Sequence, residues 1–123
     1  MPVTRQQKLR IARWVHKWRR RMLLHAWSVH VEFSEVPRAD EPEVRADVST
    51  RPRYSEMYIT LYPAFWSFPE CDQQITLIHE MAHSLTDRLL ELALRKSVTQ
   101  KDANAAAELL TEHIAKVLWD AYE

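Results

Sequence analysis

The sequence lacks glycine altogether and has a single cysteine, Cys71, in 123 residues. Without glycine there is no glycine-rich loop of the kind that holds nucleotide phosphates, so nucleotide-binding sites of that type are excluded. Turns and helix ends must instead use proline, aspartate, asparagine or serine. One cysteine cannot form an intramolecular disulfide, and we interpret Cys71 as a structural residue rather than a nucleophile.

Long apolar runs are also missing. No run approaches the eighteen residues that a membrane-spanning helix needs, and the basic N-terminus has no apolar region or cleavage site of a signal peptide. We therefore predict a cytoplasmic protein without membrane association. The formal net charge is zero, with 46% hydrophobic and 28% charged residues, a balance typical of globular proteins. We see no repeat or low-complexity tract, so residues 1–123 are predicted to form a single domain.

The charge is distributed unevenly along the chain. Residues 5–21 contain eight arginines and lysines, and the first acidic residue is Glu32. Such a segment could attract phosphate groups, so nucleic-acid binding is one hypothesis. However, Trp14, Trp18 and several aliphatic residues recur in it near helical spacing and need a core. We therefore favour an amphipathic helix whose cations face solvent.

Hydrophobic periodicity predicts an α+β fold made of helix, three strands and two helices. The first helix covers residues 4–25, with Thr4 as N-cap. Three strands follow, over residues 27–34, around residues 44–48 and over residues 56–62, because apolar and polar residues alternate there. The order favours a small, mainly antiparallel sheet.

Two helices are predicted for the second half of the chain. One begins after the aromatic segment that ends at Pro69, is capped by Ser67 or Asp72, and reaches Arg95 or Lys96. A polar break at residues 97–101 separates it from the last helix, which Asp102 can cap and which continues to the end of the chain.

The sharpest motif is His79-Glu80-Met81-Ala82-His83, an H-E-x-x-H pattern. Residues four apart lie one above the other on a helix, so His79 and His83 can offer two imidazole nitrogens to one metal ion. Glu80 lies one step round the helix, where it could accept a proton from a metal-bound water. The alternative is a pair of ordinary surface histidines. An apolar stripe through the motif favours a helix at the border of core and cleft: Ile75, Ile78, Ala82, Leu85 and Leu89.

A catalytic zinc site needs a third protein ligand besides the two histidines. Asp87 continues the same stripe but is about one turn too far along for its short side chain, so we interpret it either as a hydrogen-bond partner of His83 or as a solvated acid. The last helix offers Glu108, Glu112 and His113. We prefer Glu108, with Glu112 next and His113 third, although both glutamates could simply face water.

The element order and three segments of the chain resemble minimal gluzincin-type metallopeptidases of phages and mobile elements. The segments are Met57-Tyr58-Ile59-Thr60-Leu61-Tyr62-Pro63, Leu77-Ile78-His79-Glu80-Met81-Ala82-His83 and Glu108-Leu109-Leu110-Thr111-Glu112-His113-Ile114-Ala115. The resemblance implies a small zincin-like domain with a Zn²⁺ site of two histidines and one glutamate. It also implies Glu80 as general base, and a strand beside the cleft that aligns an extended peptide.

The function expected from this sequence is zinc-dependent hydrolysis of peptide bonds. If the third strand lies at the sheet edge, its backbone could hold the protein or peptide substrate. Tyr58, Tyr62 or His30 could stabilise the oxyanion, and the residues do not decide among them. Other hypotheses are a structural zinc module, a phage zincin-fold binding protein without activity, and nucleic-acid binding by the basic helix. The sequence gives no indication of the oligomeric state.

Overall fold

The computed structural model describes residues 2–94 and 99–123. Within these ranges the chain forms three α-helices and one three-stranded sheet, which confirms the α+β fold class with helices before and after the sheet. The helices are α1 (Arg5–Arg21), α2 (Glu70–Leu94) and α3 (Gln100–Tyr122). The strands are β1 (Ser28–Phe33), β2 (Ala46–Arg51) and β3 (Glu56–Leu61).

Helix α1 has well-defined caps at both ends. Thr4 is the N-cap, as predicted, and its side chain accepts a hydrogen bond from the backbone of Gln7, whose own side chain bonds back to Thr4. At the other end, Leu23 takes a left-handed conformation with φ of 58°. The backbone N–H groups of Leu23 and Leu24 donate to the carbonyls of Arg20 and Arg19. This is a Schellman motif with leucine at the position that glycine usually occupies.

The sheet has the strand order β1-β3-β2 and is mixed. Strand β3 pairs in parallel with β1 and antiparallel with β2. The expectation of a mainly antiparallel sheet is therefore right for only one of the two pairings, and β3 is the central strand rather than an edge strand. The physical reason is burial, since the inward-facing side chains of β3, Met57, Ile59 and Leu61, are fully buried. Strand β2 lies at an edge, where its polar outward-facing residues remain solvated.

The core lies between the sheet and the helices. Ile11, Val15 and Trp18 from α1 join the buried residues of β3 and the apolar face of α2 in one cluster. The indole N–H of Trp18 donates to the side-chain oxygen of Gln74 on α2 at 3.1 Å. Among the described residues, no helix is long and apolar enough to cross a membrane.

The two long helices pack differently from the sequence prediction. Ile78 and Ala82 are fully buried, but Leu85 and Leu89 are 45% and 55% exposed. The second half of α2 packs against α3, and among its described side chains the buried ones include the hydroxyl residues Ser84 and Thr86. The buried residues of α3 are also small: Ala103, Thr111 and Ala115. The larger residues Leu110 and Val117 of α3 are 40% and 51% exposed.

The helix ends of this half also differ from the prediction. Helix α2 begins at Glu70, with Asp72 in its first turn, while the Ser67 hydroxyl donates to the carbonyl of Ala64, so neither predicted residue is the cap. Thr99 rather than Asp102 caps α3, and Asp102 donates its backbone N–H to the Thr99 hydroxyl. The predicted end of α2 at residue 95 or 96 and residues 97–98 of the predicted polar break lie outside the described residues, while Gln100 and Lys101 already belong to α3.

Candidate metal centre

His79 and His83 lie on the same side of α2, one turn apart. Their ring centroids are 5.3 Å apart and the ring planes meet at 73°. Both side chains are largely buried, with side-chain exposures of 25% for His79 and 11% for His83. The helical spacing of the motif therefore brings the two imidazoles together at the edge of the core, as the sequence predicts.

Glu108 on α3 reaches both imidazoles. Its Oε2 lies 3.3 Å from Nε2 of His79, and its Oε1 lies 3.1 Å from Nε2 of His83. The ligand atoms of these three residues all lie within 4.8 Å of one another. Glu112, one turn further along, pairs instead with Lys116 at 3.4 Å, and His113 is exposed. The geometry thus brings Glu108, the preferred candidate, to the two histidines.

A buried pair of hydroxyls connects α3 to α2. The Oγ1 atoms of Thr86 and Thr111 are 2.6 Å apart, and both residues are at most 1% exposed. Thr86 follows His83 by three residues on α2, and Thr111 follows Glu108 by three residues on α3. Because three residues make nearly one turn, this contact joins the two helices within about one turn of His83 on α2 and of Glu108 on α3.

Asp87 orients the ring of His83. Nδ1 of His83 lies 3.1 Å from Oδ1 of Asp87, so the ring can donate this N–H and direct Nε2 towards Glu108. The other carboxylate oxygen of Asp87 accepts a hydrogen bond from the Thr50 hydroxyl on β2 at 2.6 Å. The sequence prediction that Asp87 contacts His83 is confirmed. The contribution of Thr50 was missed, although the alternation of β2 places its side chain on the helix side of the sheet.

Glu80 is buried beside the histidines. Only 8% of the residue is exposed, and this burial raises the pKa of its carboxyl group to about 8, although the charge of His83 opposes the shift. Without an added positive charge, Glu80 is therefore mainly protonated at neutral pH. A cation bound beside it would favour the carboxylate and lower this pKa.

The two histidines have different titration behaviour. Burial and the neighbouring His83 lower the pKa of His79, so its neutral form is favoured. Burial also acts to lower the pKa of His83, but the hydrogen bond that its ring donates to Asp87 and the charges of nearby carboxylates outweigh burial and raise this pKa. Because metal ions bind the neutral imidazole, a metal at Nε2 of His83 must compete with a proton.

An open cleft of about 460 Å³ lies over these residues. Ala46, Asp47 and Val48 of the edge strand β2 form part of its wall. Sequence reasoning missed Arg38 and Asn104, which also line the cleft, because nothing in their local patterns indicates a functional role. The rest of the lining comes from α2 and α3 and consists of five polar or charged residues and two apolar ones: His79, Glu80, His83, Asp87, Glu108, Leu90 and Ala107.

Two of the three candidates for oxyanion stabilisation lie on the wrong side of the sheet. His30 and Tyr58 stack on each other with ring centroids 4.8 Å apart, and the Tyr58 hydroxyl donates to Glu56. They alternate with the buried residues of their strands and so face away from α2. The hydroxyl of Tyr62, the third candidate, donates to Asp47 at 2.7 Å. None of the three lines the cleft.

Part of the basic charge of α1 is compensated within the chain. Arg10 pairs with Glu70 at 2.9 Å, while Lys17 and Arg21 both pair with Glu123 at 3.0 and 3.3 Å. These contacts give three of the eight cations a role in joining α1 to the other two helices. The basic composition of α1 therefore does not by itself require a nucleic-acid partner.

The two distances from Glu108 to the imidazoles, each measured from a different carboxylate oxygen, can be compared with the ligand separations of a zinc site. Zinc bonds to nitrogen and carboxylate oxygen are about 2.0 to 2.2 Å long, so two ligands at the tetrahedral angle lie about 3.3 to 3.5 Å apart. The contacts of Glu108 with His79 and His83, at 3.3 and 3.1 Å, are close to this separation. Imidazole and carboxylate are also a donor set that zinc accepts.

In comparisons with known proteins, no family model, no curated protein and no solved structure matches this chain. The functional assignment therefore depends on the residues and geometry of the site.

Proposed function

We propose that this protein is a zinc-dependent metallopeptidase of the small zincin-like type. The observation that carries the proposal is the bridge that Glu108 makes from α3 to both histidines of the H-E-x-x-H motif on α2. Two imidazoles and one carboxylate converge there beside a buried glutamate in an open cleft. This donor set leaves a position free for water or substrate, as hydrolytic zinc sites require.

Each side chain has a separate task in the proposed reaction. His79, His83 and Glu108 hold the ion, and Asp87 keeps Nε2 of His83 directed towards it. When bound, zinc supplies Lewis-acid chemistry, which polarises an amide carbonyl and makes water acidic enough to react near neutral pH. Glu80 accepts the proton of the attacking water and returns it to the leaving amine.

The proposed substrate is an extended peptide. Strand β2 pairs only with β3 in the described part of the chain, and three of its residues line the cleft. Its outer edge is suited to hold a peptide by main-chain hydrogen bonds. Strand β3 could have this role only at the sheet edge, and because it is paired on both sides the proposal gives the role to β2.

Metal analysis of the purified protein tests the site. Wild type should bind zinc stoichiometrically, and His79→Ala and Glu108→Ala should each lose it. Glu112→Ala is the matched control, because Glu112 lies one turn from Glu108 on the same helix but pairs with Lys116. Absence of zinc from wild type, or equal binding by wild type and Glu108→Ala, contradicts the proposed centre.

A peptide library incubated with the zinc-loaded protein tests the activity. Glu80→Gln should retain fold and zinc but lose cleavage by at least about a hundredfold, as expected for loss of a general base. Stoichiometric zinc without any cleavage by wild type would instead favour a zincin-fold binding protein. A cytoplasmic location remains part of the proposal, and fractionation of expressing cells tests it.

A further inference from the structure

A chain of two hydrogen bonds links the sheet edge to the candidate metal centre. The Thr50 hydroxyl on β2 donates to Oδ2 of Asp87 at 2.6 Å, and Oδ1 of Asp87 lies 3.1 Å from Nδ1 of His83. Nε2 of His83 in turn faces Glu108 at 3.1 Å. The three residues come from one strand and one helix and are partly or largely buried.

We infer that Thr50 is a positioning residue for zinc, acting on His83 through Asp87; this inference rests on the proposed function. A carboxylate can rotate about its terminal bond and offer either oxygen to the imidazole. With Oδ2 held by a short, charge-assisted hydrogen bond from Thr50, Oδ1 stays directed at Nδ1 of His83. The imidazole then keeps its proton on Nδ1 and its lone pair on Nε2, which is the form that binds metal.

The position of Thr50 in the sheet makes this role specific. Its register partner on β3 is the fully buried Met57, so Thr50 lies on the face of the sheet that packs against α2. The neighbouring Ser49 is exposed on the opposite face. A one-residue shift of β2 would therefore remove the hydroxyl from Asp87, and the pairing of β2 with β3 helps to define the metal centre.

Zinc affinity measured by competition with a chelator tests the inference. Thr50→Val keeps the shape of the side chain and removes only the donor, so zinc affinity should fall roughly three- to tenfold. Asp87→Ala removes the direct partner of His83, and affinity should fall roughly ten- to a hundredfold. Thr50→Ser restores a hydroxyl and should bind zinc within about twofold of wild type.

The control is Thr60→Val, which makes the same chemical change on β3 but on the outer face of the sheet. It should leave zinc affinity unchanged. Thermal unfolding of the metal-free variants separates positioning from general loss of structure, because Thr50→Val should weaken zinc binding even at temperatures where it is fully folded. If Thr50→Val does not fold, the rescue variant Thr50→Ser and Asp87→Asn carry the test, and wild-type affinity in Asp87→Asn overturns the inference.

Two failures are distinguishable. If wild type binds zinc and a folded Thr50→Val binds it equally well, Thr50 has no positioning role while the proposed function stands. If wild type binds no zinc at all, the metal centre itself is wrong and the role of Thr50 falls with it.

Discussion

The buried hydroxyl pair between α2 and α3 gives the most demanding test of how the candidate site is assembled. Thr111 donates its own proton to the carbonyl of Ala107 at 2.7 Å. In the 2.6 Å contact between the two threonines, Thr86 must therefore be the donor and Thr111 the acceptor. This asymmetry predicts that the two threonines do not tolerate substitution by valine equally.

The expected magnitudes follow from which group loses its partner. Thr111→Val leaves the Thr86 hydroxyl, 1% exposed, without an acceptor, and an unsatisfied buried group costs about 1 to 3 kcal/mol. Thr86→Val removes a donor, but Thr111 still donates to Ala107, so we expect only about 0.5 to 1 kcal/mol. Replacing both threonines leaves no orphaned hydroxyl, and the double variant should be close to Thr86→Val in stability.

Urea unfolding of the metal-free protein, followed by circular dichroism, measures these differences. Thr76→Val is the matched control, because the Thr76 hydroxyl donates only to the carbonyl of Asp72 within α2, and its loss should change the free energy of unfolding by less than about 0.5 kcal/mol. A loss below 0.5 kcal/mol in Thr111→Val, or a larger loss in Thr86→Val, would refute the assigned donor and acceptor. Additive losses in the double variant would show that the two hydroxyls do not interact.

Three further predictions concern metal binding, pH and the end of α1. Zinc at about a hundredfold excess over its dissociation constant should stabilise wild type by about 2.7 kcal/mol and raise Tm by roughly 10 °C, while His79→Ala should show no shift in calorimetry. The pKa of Glu80 is raised to about 8, so the folded state binds the proton of this carboxyl more strongly than the unfolded state does. The resulting contribution to the free energy of unfolding is complete below pH 4.5 and is lost as pH rises through 8. Metal-free wild type should therefore lose on the order of 3 to 4 kcal/mol relative to Glu80→Gln between pH 5 and 8, and parallel pH profiles in urea titrations would contradict this. Leu23 is 78% exposed and has a left-handed backbone with φ of 58°, which is strained for a residue with a side chain. Leu23→Gly should therefore stabilise the protein by about 1 kcal/mol, whereas Leu23→Ala should not. A lower Tm for the glycine variant would count against this backbone strain.

The sequence predicted best what depends on residues close together along the chain. The spacing of His79 and His83 determines their relative position on any helix, and alternation in residues 56–62 located the central strand. The cap of α1 was equally local, since Thr4 and Gln7 are three residues apart. In each of these cases the periodicity of the backbone carries the information, and no distant contact is needed to interpret it.

Strand order and helix packing could not be predicted in the same way. Alternation identifies β3 as a strand but does not say that β1 and β2 both pair with it, because pairing partners are distant in sequence. Helix α3 buries alanine and threonine, while its larger apolar residues Leu110 and Val117 are exposed. Small residues permit close approach of two helices, and their weak hydrophobic signal hides the contact from periodicity arguments.

Local sequence does not separate Glu108 from Glu112 as candidates for the third ligand. The two glutamates lie one turn apart on the same side of α3, so local sequence treats them alike. Only the axial position of α3 on α2 distinguishes them, and the helix interface contains a buried contact between Thr86 and Thr111. Polar residues in a buried helix interface specify register more sharply than apolar ones, because a shifted register would leave their hydroxyls unsatisfied.

The balance of charge in the cleft gives an independent reason to expect a cation there. Four carboxyl groups line it, those of Asp47, Glu80, Asp87 and Glu108, and Arg38 is the only lysine or arginine among the lining residues described. Arg38 pairs with Asp40 and lies 3.8 Å from Asp47, so it does not neutralise the acids beside the histidines. Without a cation, Glu80 responds by remaining protonated. A divalent ion between the imidazoles and Glu108 would remove that need, and it would convert Glu80 from a buried acid into the base that hydrolysis requires.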